Sequence, residues 1–430
     1  MPATPVRHPA PAFDVFNVLF ERIYDPTIHL LFTLDGEVDE AAMREATQRL
    51  IAANPYLGSR FAVVDGLPVW EEIPPEQWEG AFVIVAGTAD DPPAPLDVWH
   101  GPQVRVTLYR DGGRDRIAVT CHHGFCDAHG AATLAEQVFA AYRGIMDDPA
   151  FRPDPTGAYD RSTDRILALY SEEERRQARD AEEPFVDRWR FPNETTGRGT
   201  PRVVHRTLPP ERLARAKELG RRHGATVNDV LIGAFFLALM RIRRDPSDPG
   251  SPRSILTSAD LRRHLGDLDA CPPMNLSVAF DLPLVLPGEG AGLADIIGDV
   301  AAATARRKAE NLGLGCILFY EDLMAGGMPA VEAFFDTMLE RYQSSGQKNP
   351  VFSNLGIIDP DEYLPVPGKA GADLGLCDVR YLPCVCRPYG FLMTAATFRG
   401  RMTLTAAYEE GPYAAATVER FLAYVDAYLP

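Results

Sequence analysis

Residues 104–130 read VRVTLYRDGGRDRIAVTCHHGFCDAHG, and the fold is read outward from them. Two runs with strand-like alternation, VRVTLYR (104–110) and RIAVTCHH (116–123), flank an Asp-Gly-Gly turn. Glycine reaches the positive φ angles that tight turns demand, so this arrangement predicts a β-hairpin. The second strand runs directly into His122 and His123. Beyond Gly130, AATLAEQVFAAYRG (131–144) carries apolar residues at helical spacing, and Gly144 is expected to close it. His122, His123 and Asp127 therefore fall on a strand-to-helix loop, where a rigid scaffold can hold reactive groups.

The flanking elements continue the mixture. IHLLFTLDG (28–36) reads as a strand, and VDEAAMREATQRLIAANPYLGSRF (38–61) as a helix stopped by Asn-Pro. Residues 145–200 are rich in Pro, Asp, Glu and Arg, and Glu172–Arg176 form a charge run. They read as a solvated helix followed by a connection. Helices follow at 210–223 and 226–244, the second with Thr226 as N-cap and Asp229 at the positive end of its dipole. Strands are expected at 253–259, 275–284, 351–358, 389–398 and 401–408, with helices at 293–312 and 415–428. The fold class is mixed α/β (α+β) in two lobes: residues 1–180, a connection at 181–200, and residues 201–430. No repeat of solenoid period is present.

Composition narrows the partners. The chain has 430 residues, 43 basic and 60 acidic, for a net charge of −17. Such a surface repels nucleic-acid phosphates and anionic lipid, so neither is an expected partner. The longest apolar run, Val230–Met240, is too short to cross a bilayer and reads as a buried helix. The opening MPATPVRHPAPAFD lacks a secretory apolar core, and seven scattered cysteines fit a reduced, cytoplasmic setting. Cys121, Cys126, Cys384 and Cys386 lack the pair-and-pair spacing of structural zinc sites, so no metal is expected and they read as small core hydrophobes. No G-x-S-x-G elbow and no glycine-rich phosphate loop occurs.

The residues of the loop leave two readings open. A neutral imidazole titrates near physiological pH and can take a proton from an alcohol or amine, with a carboxylate four positions on to orient it or to brace the loop. The same spacing also suits a satisfied pair of core histidines.

The segment from His122 to Gly130 resembles the HHxxxDG signature of the superfamily that holds chloramphenicol acetyltransferase, non-ribosomal peptide condensation domains, plant BAHD acyltransferases and wax ester synthases; with Gly130 it is similar to the HHxxxDGxG of alcohol-acetyltransferase-like members. The resemblance runs along nearly the whole chain. It takes in the opening strand and helix with its Pro55-Tyr56-Leu57, ATVNDVLIGAFFLALMRI (225–242), LTSADLRRHL (256–265), MNLSVAFDLP (274–283) and Ser353-Asn354-Leu355-Gly356. It implies two lobes with a channel between them, and an acyltransferase in which His123 is the general base. Asp127 would be structural, paired with Arg262; His122 would pack, and His129 occupies a variable position. Ser353, Asn354 and the Gly124 amide are the oxyanion candidates.

Ala128 stands where the signature has glycine, which would introduce strain if that position needs a positive φ. The resemblance implies no bound cofactor, with acyl-CoA or a phosphopantetheine thioester as co-substrate and a small-molecule acceptor. Arg306, Arg307 and Lys308, or the cluster Arg241-Ile242-Arg243-Arg244, would meet the phosphates of CoA. Three functions follow as expectations: acyl transfer from acyl-CoA to a hydroxyl or amine in natural-product biosynthesis, condensation with a donor on a carrier protein acting in trans, or a silent docking module. A monomer is expected, because the histidine and both lobes come from one chain.

Overall fold

The computed structural model describes residues 5–87, 92–182, 186–243, 250–266 and 271–430. Arg244 and residues 183–185 of the expected connection lie outside the described residues.

The hairpin forms as Val104–Arg110 and Asp115–His122, antiparallel, with Val106 opposite Val119. Beside it lies Thr27–Leu34, whose residues are buried on both faces apart from a half-buried Thr33, as its near-continuous apolar run dictates. These strands sit in a five-stranded sheet with spatial order 376–382, 27–34, 115–122, 104–110, 82–86. One face is covered by two helices, Glu40–Ala53 and Ala128–Asp147. The latter buries Leu134, Val138, Phe139, Tyr142 and Ile145. Each large apolar side chain removed from water contributes on the order of 2 kcal/mol. This helix starts earlier and ends later than expected. Asp127 caps it, and Gly144 is an interior residue whose missing Cβ admits the Phe151 ring, 2.5 Å from where that atom would stand.

The larger sheet has eight strands. Its path runs 277–285, 252–260, 351–358, 392–398, 401–410, 385–386, 24–25, and Thr200–Thr207 pairs with 401–410. The helix Val227–Ile242 packs against this second core and is buried over most of its length, with the capping box Thr226–Asp229 at its start. No single helix among the described residues is long and apolar enough to cross a membrane.

Across the expected boundary the two halves exchange chain. Leu376–Leu382 pairs with Thr27–Leu34 in the first sheet, and Tyr24–Asp25 pairs with Val385–Cys386 in the second. Val331, Phe335 and Tyr342 also pack into the first core, far from its strands in sequence. The stretch after residue 147 differs from the expected solvated connection as well. It holds the solvated helix Glu172–Ala181, but Arg161, Thr163, Trp189 and Phe191 are buried.

Candidate active site

The hairpin strand ends at His122, and the next residues turn sharply: the amides of Phe125 and Cys126 both donate to the His122 carbonyl. The two imidazoles then part company. His122 is sealed in the core, and its Nδ1 accepts from the Gly124 amide at 2.9 Å. Burial pushes its pKa down to about 3, so it stays neutral in a single tautomer. His123 is half-buried, the more accessible ring of the pair. Its amide donates to the Pro26 carbonyl at 2.8 Å.

Gly124 cannot serve as the expected oxyanion donor, because its amide is taken by the His122 ring. Its role is space: a Cβ there would stand 2.4 Å from Val18 Cγ2 on the neighbouring helix Ala12–Leu19.

Asp127 is held by three bonds. Its Oδ1 accepts from the Gly130 amide, capping the helix, while Oδ2 accepts from Arg262 Nη1 at 2.8 Å and the Leu276 amide at 2.7 Å. Arg262 is fully buried and also bonds Asp260 and the Met274 carbonyl. Burial alone would raise the carboxyl pKa; Arg262 and the two amides outweigh it and hold Asp127 below the usual carboxylate range. Ala128 is the first residue of the helix and is absent from the residues with positive φ, so the departure from glycine brings no strain. His129 is exposed, about one ion-pair distance (4.0 Å) from Asp260.

The residue that sequence reading missed is Asn275. Its Nδ2 donates to the His123 carbonyl at 2.6 Å and lies 2.7 Å from Nδ1 of the same ring. Its Oδ1 accepts from Ser277, which fixes the amide's orientation. No described residue bonds Nε2 of His123. Burial lowers the His123 pKa, partly offset by Asp127 and by the ring's contact with its own carbonyl, so the ring is neutral at neutral pH. The signal for Asn275 lay in the quoted MNLSVAFDLP, but nothing local tied it to a histidine 152 positions away.

Other expected residues lie apart from this network. Ser353 and Asn354 are on Val351–Ile358, where Ser353 Oγ shares a hydrogen bond with Ser258 Oγ at 2.7 Å and Asn354 Oδ1 accepts from Gly356. Arg307 is committed to Glu182 and Glu310 rather than open to a phosphate, while Arg306 and Lys308 are exposed beside it. Arg241 stacks on Tyr424. No group of three or more His, Cys, Asp or Glu among the described residues could hold a metal, and all seven cysteines are free thiols.

The chain has the two-lobed mixed α/β fold of solved condensation domains and chloramphenicol-acetyltransferase-like proteins. Trichothecene 15-O-acetyltransferase from Fusarium sporotrichioides superposes with TM-score 0.70 at 15% identity, covering 99% of this chain and 94% of that one. Polyketide synthase associated protein 5 from Mycobacterium tuberculosis gives 0.66 at 18% identity over 99% and 98%. The first condensation domain of the CDA synthetase gives 0.63 at 18% over 99% and 96%. In sequence, phthiocerol/phthiodiolone dimycocerosyl transferase of Mycobacterium tuberculosis is 24% identical over 249 residues, 53% of this chain. That match spans only 57% of the transferase, little more than half its length. No family profile matches the chain.

Proposed function

We propose that the protein transfers an acyl group from a thioester, carried by CoA, to a hydroxyl or amine of a small molecule, with His123 as general base. The observation that carries this reading is the state of His123: neutral, half-buried, with its backbone carbonyl held by Asn275 and its Nε2 unbonded by any described residue. The reactive tautomer carries its proton on Nδ1, directed at the ring's own carbonyl; Asn275 Nδ2 then donates to that carbonyl alone, and Nε2 keeps a lone pair. It takes the proton as the acceptor's oxygen or nitrogen attacks the thioester carbon. The tetrahedral intermediate then collapses, the C–S bond breaks, and the imidazolium returns its proton to the departing thiolate. The products are an ester or amide and a free thiol. Asp127 and Arg262 do not touch substrate in this scheme; they hold the loop. The Ser353 hydroxyl and Asn354 amide are the candidate oxyanion donors.

The donor carried on a carrier protein is the second reading, favoured by the condensation-domain fold of the neighbours. The docking-module reading loses its one supporting feature, since Ala128 is unstrained. His123, Asp127 and Arg262 all come from one chain, so a monomer suffices.

The test is thiol release from acetyl-CoA, longer acyl-CoAs and acyl-loaded carrier proteins against a panel of alcohols and amines. Acceptor-dependent release should fall at least about a hundredfold in His123→Ala. Full turnover in that variant would refute the assignment.

A further inference from the structure

Asp14 and Arg161 form a second buried ion pair beside the histidine loop, each side chain 1% exposed. Arg161 Nε donates to Asp14 Oδ2 at 2.7 Å and Nη2 to Oδ1 at 3.1 Å, a bidentate pair. Trp70 Nε1 donates to the same carboxylate at 2.8 Å. The guanidinium is boxed by the rings of Phe125, Tyr56, Trp70 and Tyr159, at 4.7 to 5.9 Å from their centroids.

Of its three remaining hydrogens, one on Nη1 points at the Tyr159 hydroxyl at 3.5 Å and two are directed at backbone carbonyls. Nη2 bonds the Phe125 carbonyl at 2.5 Å, inside the histidine loop, and Nη1 bonds the Pro273 carbonyl at 3.2 Å, two residues before Asn275. Arg262 does the same one step along, tying Asp127 to the Met274 carbonyl. The two arginines are thus parallel staples between the loop and residues 273–274, and the Asn275–His123 contact is the next rung.

Resting on the acyl-transfer reading of His123, we propose that Arg161, oriented by Asp14, is a positioning residue that sets the placement of His123 against Asn275. A guanidinium is suited to this because it is planar, permanently charged and offers five donors in a fixed fork. A lysine in its place keeps a charge for Asp14 but supplies a point donor that cannot hold the carboxylate and both carbonyls at once. Removal of the charge instead leaves Asp14 buried and unpaired, which damages the fold for reasons unrelated to His123.

The decisive variant is therefore Arg161→Lys, accompanied by Asp14→Asn/Arg161→Met, which removes both charges together. Two measurements are made on folded protein, checked by circular dichroism. Steady-state kinetics should show kcat down about tenfold with KM for acceptor and donor changed less than twofold. Independently of turnover, ring ¹⁵N and ¹H resonances of His123, assigned by loss in His123→Ala, should show its titration midpoint moving from below 6.5 in the wild type toward 6.5 in the variants. The charged neighbour that bears on this midpoint is Asp127, which raises it; the adjacent His122 stays neutral across the titration. An unmoved His123 titration with unchanged kcat in both variants would overturn the proposal. If the wild type turned over no thioester at all, the acyl-transfer reading would fail, and the titration alone would still decide whether Arg161 positions the ring.

Discussion

Replacement of Asp127 by asparagine tests the loop's bracing most sharply. The side chain keeps an oxygen for the Gly130 amide, so the helix cap survives. The other oxygen becomes an NH₂ that faces two donors, Arg262 Nη1 and the Leu276 amide, both within 2.8 Å. Breaking a buried pair costs about 3–5 kcal/mol when one charge is left uncompensated. Here Asp260, 3.1 Å from Arg262 but 43% exposed, partly compensates, which points to the lower end. The orphaned Leu276 amide adds about 1–3 kcal/mol. Roughly 4 kcal/mol is expected from these two terms, a large share of the 5–15 kcal/mol typical of a folded protein. At about 2.1 cal/mol/K per residue, that is a fall in Tm of about 4–5 °C for a chain of this size. Urea and thermal denaturation at pH 7.5 provide the assay. Asp127→Leu/Arg262→Met, which removes both charges, should be more stable than Asp127→Asn. A loss under 1 kcal/mol for Asp127→Asn would refute the bracing argument, and a large loss of kcat at unchanged stability would move Asp127 into the chemistry.

Other outcomes follow from the same geometry. Gly124→Ala forces a Cβ against Val18, so it should cost about 1–3 kcal/mol and lower turnover as His123 shifts; unchanged melting would mean that the helix Ala12–Leu19 moves freely. Ala128→Gly restores the signature but puts glycine into a first helical turn, so stability should drop by up to about 1 kcal/mol with kcat unaltered; a tenfold gain in turnover would show that the glycine matters after all. His29 and His122 are both buried and neutral, with pKa values pushed down to about 3. The unfolded chain binds their protons below pH 6.5 while the folded chain refuses them, so stability is full above that pH and falls as pH drops toward 3. The slope should be about 1.4 kcal/mol per pH unit for each histidine. Urea midpoints from pH 7 to pH 5 measure it; His122→Asn should lower the slope by about 1.4 kcal/mol per pH unit, and an unchanged slope in that variant would contradict its assignment.

The hairpin, the helix Glu40–Ala53 and the expected elements of the second half were legible because each rests on local periodicity and turn chemistry, whereas the helices Ala12–Leu19, Leu314–Ala325 and Met328–Ser345 were not expected. Thr226–Asp229 is such a case, a cap written within four residues. Asp127 and Arg262 were legible only through the resemblance, because their partnership spans 135 positions. Asp14, Arg161 and Asn275 were missed for the same physical reason without that help. Arg161 sits in a stretch so rich in Pro, Asp and Arg that composition argues for solvent, and only the ring cage around its guanidinium reverses that. The expected close at Gly144 failed because glycine there provides clearance for Phe151 instead of a left-handed cap.

The reciprocal strand exchange bears on how this chain can be divided. A polypeptide ending near residue 182 would lack Leu376–Leu382 and leave one edge of Thr27–Leu34 unpaired, an apolar template for aggregation. The complementary piece would lose Tyr24–Asp25 and uncover Phe335 and Tyr342. Neither fragment is a self-sufficient folding unit. Chimeras that trade lobes between relatives at this point would have to carry Met328–Ser345 and Leu376–Leu382 with the first lobe while leaving Val351–Ile358 in the second sheet, so the workable unit of recombination is discontinuous in sequence.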